Sequence, residues 1–144
     1  MMSPARVGEV FYDPEFRFRD GEISRKLFVI LGIDSDRLYT VARTTSNPAS
    51  KSRKYGCHNG DRYPNFYIPC EAKLFKEDTW ICLDYFSDFA KSEFDTRLAA
   101  NRLRKIRRLT SGILRDLLTC AIEAEGITTA QEKVVRASLA ALNK

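Results

Sequence analysis

The 144-residue sequence has no apolar run long enough to cross a bilayer. Its longest aliphatic stretch is "LFVILGI", Leu27 to Ile33, whereas a spanning helix needs roughly 20 such residues. The opening "MMSPARVGEVFYDPEF" reaches acidic residues without an apolar segment of leader length, which predicts a cytosolic address. Histidine occurs once, at His58. The cysteines Cys57, Cys70, Cys82 and Cys120 stand 13, 12 and 38 residues apart, with no CxxC pair. Neighbouring Cys57 and His58 lack further ligands at zinc spacing, so neither a metal nor another cofactor is expected and the thiols are read as reduced. Internal repeats and low-complexity tracts are also missing.

What is present is globular. Aliphatic and aromatic residues make up 44% of the chain and charged residues 30%, enough for one core and one domain. Twenty-four Lys and Arg against 19 Asp and Glu leave a net charge of +5, which favours anionic partners.

"VGEVFYD" alternates like a strand, and "PEFRFRDGEIS" reads as a long charged hairpin loop around Asp20-Gly21. "KLFVILGI", Lys26 to Ile33, is continuously apolar and β-branched, as a strand buried on both faces would be. "RLYTVART", "YPNFYIP" and "DTWICLDYF" complete the strands, the last with Trp80, Cys82 and Asp84 on one side and Ile81, Leu83 and Tyr85 on the other. The basic "RLAANRLRKIRRL" fits either a helix or a strand. From Thr110, apolar residues at three- and four-residue spacing (Ile113, Leu114, Leu117, Leu118, Ala121, Ile122) predict an amphipathic helix ending near Gly126. Thr129-Ala-Gln-Glu132 opens a second helix over 129–143 with a capping-box pattern, and this last helix is the one candidate for a detachable extension. The fold class is mainly β, α+β: a small closed barrel or strongly bent sheet of five to six strands over 1–109, with C-terminal helices over 110–144.

Between strands lies "RTTSNPASKSRKYGCHNG", Arg43 to Gly60, with four cations, no anion and almost no aliphatic side chain. Arg43, Ser46, Lys51, Arg53 and Lys54, followed by Tyr55 and Tyr63, mix phosphate-binding groups with rings on which unpaired bases stack, a pattern suited to single-stranded RNA. The same hydroxyls before Asn47-Pro48 also suit an ordinary turn, and aromatics near prolines also cover sheet ends.

The order of motifs resembles that of PemK/MazF-type toxins. "VGEVFYDPEF", "RKLFVILG", "YTVARTTSN", "WICLD" and "RLTSGILRDLL" stand where that family has a leading Gly-acid strand, an Arg-Pro dipeptide opening an apolar strand, a strand ending in Thr-Ser or Thr-Thr, an acid-bearing strand and a final helix. The likeness runs from Gly8 to Leu118. It implies an SH3-like barrel, a homodimer, metal-independent cleavage of single-stranded RNA and neutralisation by a cognate antitoxin. The family's catalytic arginine falls on Lys26, with Arg25 beside it; its hydroxyl falls on Thr45 and its acid on Asp84. Leu27 stands where the family has proline, and Cys82 where some members carry a cation.

RNA brings its own nucleophile, a 2′-hydroxyl beside each phosphodiester, so a base and charge-absorbing cations suffice for cleavage. Lys26 or Arg25 can hold phosphoryl oxygens, Thr45 can donate to phosphate or ribose, and Asp84 can orient a cation or act as base. His58 has the one side chain here whose ordinary pKa, roughly 6.5, lies near neutrality, which makes it the candidate for proton transfer. The alternative is a non-catalytic module on the same fold that binds nucleic acid or protein through its basic surface.

Overall fold

The computed structural model describes residues 5–35 and 37–143. The elements are β1 (Glu9–Arg17), β2 (Ile23–Asp34), β3 (Leu38–Thr45), β4 (Gly56–His58), β5 (Asn65–Ile68), β6 (Thr79–Cys82), β7 (Ser87–Ala90), α1 (Lys91–Ala99), β8 (Arg104–Arg108), α2 (Ser111–Ile122) and α3 (Thr129–Leu142). A short 3₁₀ turn, Cys70–Ala72, precedes β6.

Phe28, Val29, Ile30 and Leu31 of β2 are all fully buried, because both faces of the sheet are covered. Successive residues of a strand point to opposite faces. Val10, Val29, Leu31 and Ala42 therefore meet Leu114, Leu117, Leu118 and Ala121 of α2 and Val135 of α3 in one core. Phe11, Phe28, Ile30 and Val41 join Tyr39, Phe94 and Leu103 in a second core on the other face. Phe94 is the centre of that second core, its ring meeting Tyr39 edge-on at 4.7 Å and Phe11 at 4.9 Å. Each such buried side chain contributes about 1.5–3 kcal/mol through loss of apolar surface to water.

All pairings are antiparallel, in the order β4-β5-β6-β3-β2-β1-β8, with β7 on β3. The mainly β, α+β class is as expected, but of the two expected forms, a small barrel or a strongly bent sheet of five to six strands, the closed barrel is not the one present. Eight strands form one open sheet among the described residues, with β4 and β8 as unjoined ends. The long hairpin loop expected after the first strand is also short. β1 continues through a register shift between Asp13 and Phe16, where Pro14 sits, so the turn is confined to Phe18–Glu22 with Gly21 at φ +93°.

The ambiguous basic stretch resolves into the end of α1 and the edge strand β8. Lys105 of β8 reaches Glu9 at 3.4 Å, and the Arg104 guanidinium lies 5.5 Å from the Tyr12 ring centroid. Thr110 caps α2, its side chain accepting from the Ile113 amide. The α3 capping box is one residue earlier than its sequence pattern, formed by Thr128 and Gln131. Nor is α3 detachable: Gly32 of β2 passes so close that a Cβ there would lie 2.5 Å from the Val134 side chain. None of the described helices is long and apolar enough to cross a membrane.

Because Phe94 fills the centre of the second core with no access to solvent, Phe94→Ala should cost about 3–5 kcal/mol. Urea unfolding of the two proteins measures the difference.

Candidate functional site

From Asp34↔Leu38 to Phe28↔Arg43, β2 and β3 share a ladder, and there it ends. Thr44 and Thr45 pair with Ile81 and Trp80 of β6, whereas β2 from Leu27 back to Ile23 stays with β1. The two strands part, and a hollow opens on either side of the gap.

The first hollow, of about 350 Å³, is polar; Lys26, Arg43, Thr45, Lys51, Tyr63 and Asp84 line it together with Cys82. Arg43 and Thr45 share one face of β3 by alternation, and Cys82 and Asp84 share one side at the end of β6. One terminal nitrogen of Arg43 donates to both Asp84 oxygens, at 3.0 and 3.1 Å. The other, Nη1, is buried with no partner. The same guanidinium lies 3.9 Å from the Tyr85 ring centroid, which Arg19 also approaches at 4.3 Å. Burial lowers the Lys26 ammonium from its ordinary range; Cys82 opposes this, and Arg43 and Lys51 add to it. Burial likewise pushes the Cys82 thiol up. Thr45 accepts from the Asn47 amide at 3.1 Å, so its own hydroxyl proton is available to a ligand. Three cations around one carboxylate suit an anion.

The basic segment is an ordered structure. The Ser52 amide and hydroxyl donate to the two oxygens of Asp61, at 2.7 and 2.8 Å, and the Asn65 side chain donates to Asp61 at 3.0 Å. Trp80 Nε1 donates to the Ser52 carbonyl at 2.8 Å, which fixes the segment over the buried Trp80 and Tyr67 rings. Burial works to raise the Asp61 carboxyl, but the Ser52 and Asn65 hydrogen bonds outweigh it and hold the group below the usual carboxylate range. Lys51 is aimed by the carbonyls of Asn47 and Ala49, each at 3.1 Å.

Lys26, Thr45, Asp84, Arg43, Lys51 and Tyr63 thus converge on one hollow. The remaining residues of the expected site lie elsewhere. Arg25 and Ser46 line the second hollow. Arg53 lies 6.0 Å from the Trp80 ring centroid, and Lys54 is exposed. Tyr55 donates to Asp116 of α2 at 2.8 Å, and burial together with that carboxylate raises its hydroxyl. His58 is apart from both hollows: β4 pairs it with Asn65, and its Nε2 lies 2.5 Å from the Lys54 carbonyl. No protein-family model matches the chain, and no curated protein matches it.

One expectation is overturned. Cys57 and Cys120 form a disulfide that ties β4 to α2, with Cα atoms 5.5 Å apart; Cys70 and Cys82 remain free. A 63-residue separation carries no sign of this pairing, which arises only when the β4-β5 hairpin folds over α2. The bond also removes Cys57 from any shared site with His58. At the sheet margin the Cys70 thiol and the Glu71 and Asp78 carboxylates lie within 4.8 Å of one another, but Asp78 already accepts from the Cys70 amide.

Arg43 belongs to the end of β3 and not to the loop that follows it, and Asp61 and Tyr85 stand outside the candidate residues of the sequence. The signal for Arg43 was there: it stands two residues before Thr45 on a strand, hence on the same face.

Two outcomes are expected. Gly126 presses on the backbone beside the acid, where a Cβ would lie 2.1 Å from the Asp84 carbonyl oxygen. Gly126→Ala should therefore displace Asp84, shift the Arg43 guanidinium NMR resonances and lower Tm. For Asp61, whose folded pKa is lowered, stabilisation is complete above its unfolded value of about 3.9 and is lost as pH falls through the lowered folded value. Trp80 fluorescence should report release of Ser52 in that acid window, and Asp61→Ala should abolish the step.

Proposed function

We propose that this protein is a metal-independent endoribonuclease that cleaves single-stranded RNA, in the manner of PemK/MazF-type toxins. The observation that supports this most is the convergence of Lys26, Arg43, Thr45 and Asp84 on one small polar hollow from two strands, β2 and β3, and the segment after β6.

In this reading a phosphodiester rests between Lys26 and Arg43. Thr45 donates to a phosphoryl oxygen or the ribose. Asp84, held by Arg43, accepts the proton of the 2′-hydroxyl, and the new bond from the 2′-oxygen to phosphorus forms as the bond to the 5′-oxygen breaks. Lys26, whose ammonium is loosened by burial, returns a proton to that leaving oxygen. The products are a 2′,3′-cyclic phosphate and a 5′-hydroxyl. His58 has no part in this scheme. A homodimer, a cytosolic setting and inhibition by a cognate antitoxin belong to the same proposal.

Incubation with single-stranded RNA in EDTA should give scission with cyclic-phosphate ends. Lys26→Ala should slow it about 10²-fold or more, and His58→Ala should leave the rate near the parental value. Intact RNA in the presence of folded, RNA-binding protein would replace the nuclease with a nucleic-acid-binding module.

A further inference from the structure

The second hollow, of about 550 Å³, opens at the mouth of the bent sheet and differs in character from the first. Leu27, Leu74, Phe75 and Ile106 give it an apolar floor, with the Tyr12 ring and the hydroxyls of Thr44 and Thr79 among them. Four cations also line it, Arg25, Lys26, Lys76 and Arg107, against one acid, Glu77. Its size falls within the range of small-molecule sites, roughly 300–1,000 Å³.

Two residues, Lys26 and Thr45, line both hollows. A ligand that engages them with an anionic group therefore has an apolar, ring-lined space within reach on one side and a polar, cationic one on the other. A nucleotide has that construction: a phosphate joined through a sugar to a flat ring with polar edges. The cations suit its charge, the Tyr12 and Phe75 rings suit its base, and the Thr44 hydroxyl offers a hydrogen bond to a base edge, whereas the Thr79 hydroxyl donates to the Glu77 carbonyl at 3.0 Å. A free phosphate would leave the apolar floor unused, and an apolar ligand would not need four cations.

We propose that the mouth hollow is a nucleobase subsite, which receives the base of the nucleotide whose phosphate sits on Lys26 and Thr45. This rests on the phosphate site proposed above but not on its chemistry. It makes the site selective for a base at one position and not merely for a charged backbone.

The test measures affinities by NMR titration of the folded, disulfide-bonded protein with adenosine 3′-monophosphate, cytidine 3′-monophosphate, ribose 5-phosphate and inorganic phosphate. At least one nucleotide should bind about tenfold more tightly than ribose 5-phosphate, as one stacked base allows. Amides of residues 74–77 and 106–107 should shift with that nucleotide and not with phosphate. Ile106→Asn and, independently, Leu74→Asn should abolish the tenfold gain while leaving ribose 5-phosphate binding unchanged. Lys26→Ala should weaken every ligand. Equal affinity for nucleotides and ribose 5-phosphate would overturn the subsite even if RNA is cut in EDTA. A base-dependent gain at residues 74–77 and 106–107 without RNA scission would uphold the subsite and remove the nuclease.

Discussion

The parting of β2 from β3 below the Phe28↔Arg43 pair is the constraint on which the rest of the molecule depends. Above it, Phe28 to Leu31 and Tyr39 to Ala42 are buried, and their apolar side chains belong to the two cores. Below it, the ladder is broken, and residues that would otherwise be cross-strand neighbours line open space. Lys26 and Thr45 stand at the break, each on the half of its strand that has left the other. A continuous ladder would close the gap and leave an ordinary sheet surface. The polar hollow is thus a topological consequence of β3 exchanging β2 for β6 as its partner at Thr44.

Electrostatics then decides what the gap can hold. Asp84 neutralises one of the converging cations, and it does so through a single nitrogen of Arg43, which leaves Nη1 buried and unmatched. A buried donor without a partner carries a desolvation cost. Lys26 carries the same information differently, since burial and two neighbouring cations make its charge costly until an anion arrives. The Asp61 clasp on Ser52 and the Trp80 bond to the same residue hold Lys51 and Tyr63 at the rim, so the cationic segment is in place before any ligand enters.

What could be read in the sequence was what periodicity and composition carry. "KLFVILGI" announces a doubly covered strand because no polar residue interrupts it, and the stripe from Ile113 to Ile122 announces α2 because one face of a helix is apolar. By contrast α1, "KSEFDTRLA", buries Phe94 alone and shows almost no stripe; its place is set by the aromatic pocket it plugs. β8 is rich in arginine because it is an edge strand whose partner, β1, offers Glu9 and Tyr12. For the site, Lys26, Thr45 and Asp84 were implied by the motif resemblance, and the three line one hollow. His58 was chosen from its ordinary pKa, a property that contains no direction, and the hairpin turns it toward a backbone carbonyl instead. The Cys57–Cys120 bond was invisible because it joins two elements that only tertiary packing brings together.

The C-terminal region shows how the site depends on parts of the chain outside the motif resemblance. That resemblance stops at Leu118, yet the position of Asp84 is set from beyond it. Gly126 admits the Asp84 backbone at a distance no side chain would permit. Five residues on, Gln131 both closes the α3 capping box and donates to the Phe86 carbonyl at 3.5 Å and to Asp88 at 3.2 Å, where Thr40 of β3 also donates. The segment carrying the acid is therefore clamped between β3 and the start of α3. A helix that looks like an appendage in the sequence holds the carboxylate against Arg43, and a shortened chain that kept every aligned motif would lose the geometry those motifs need.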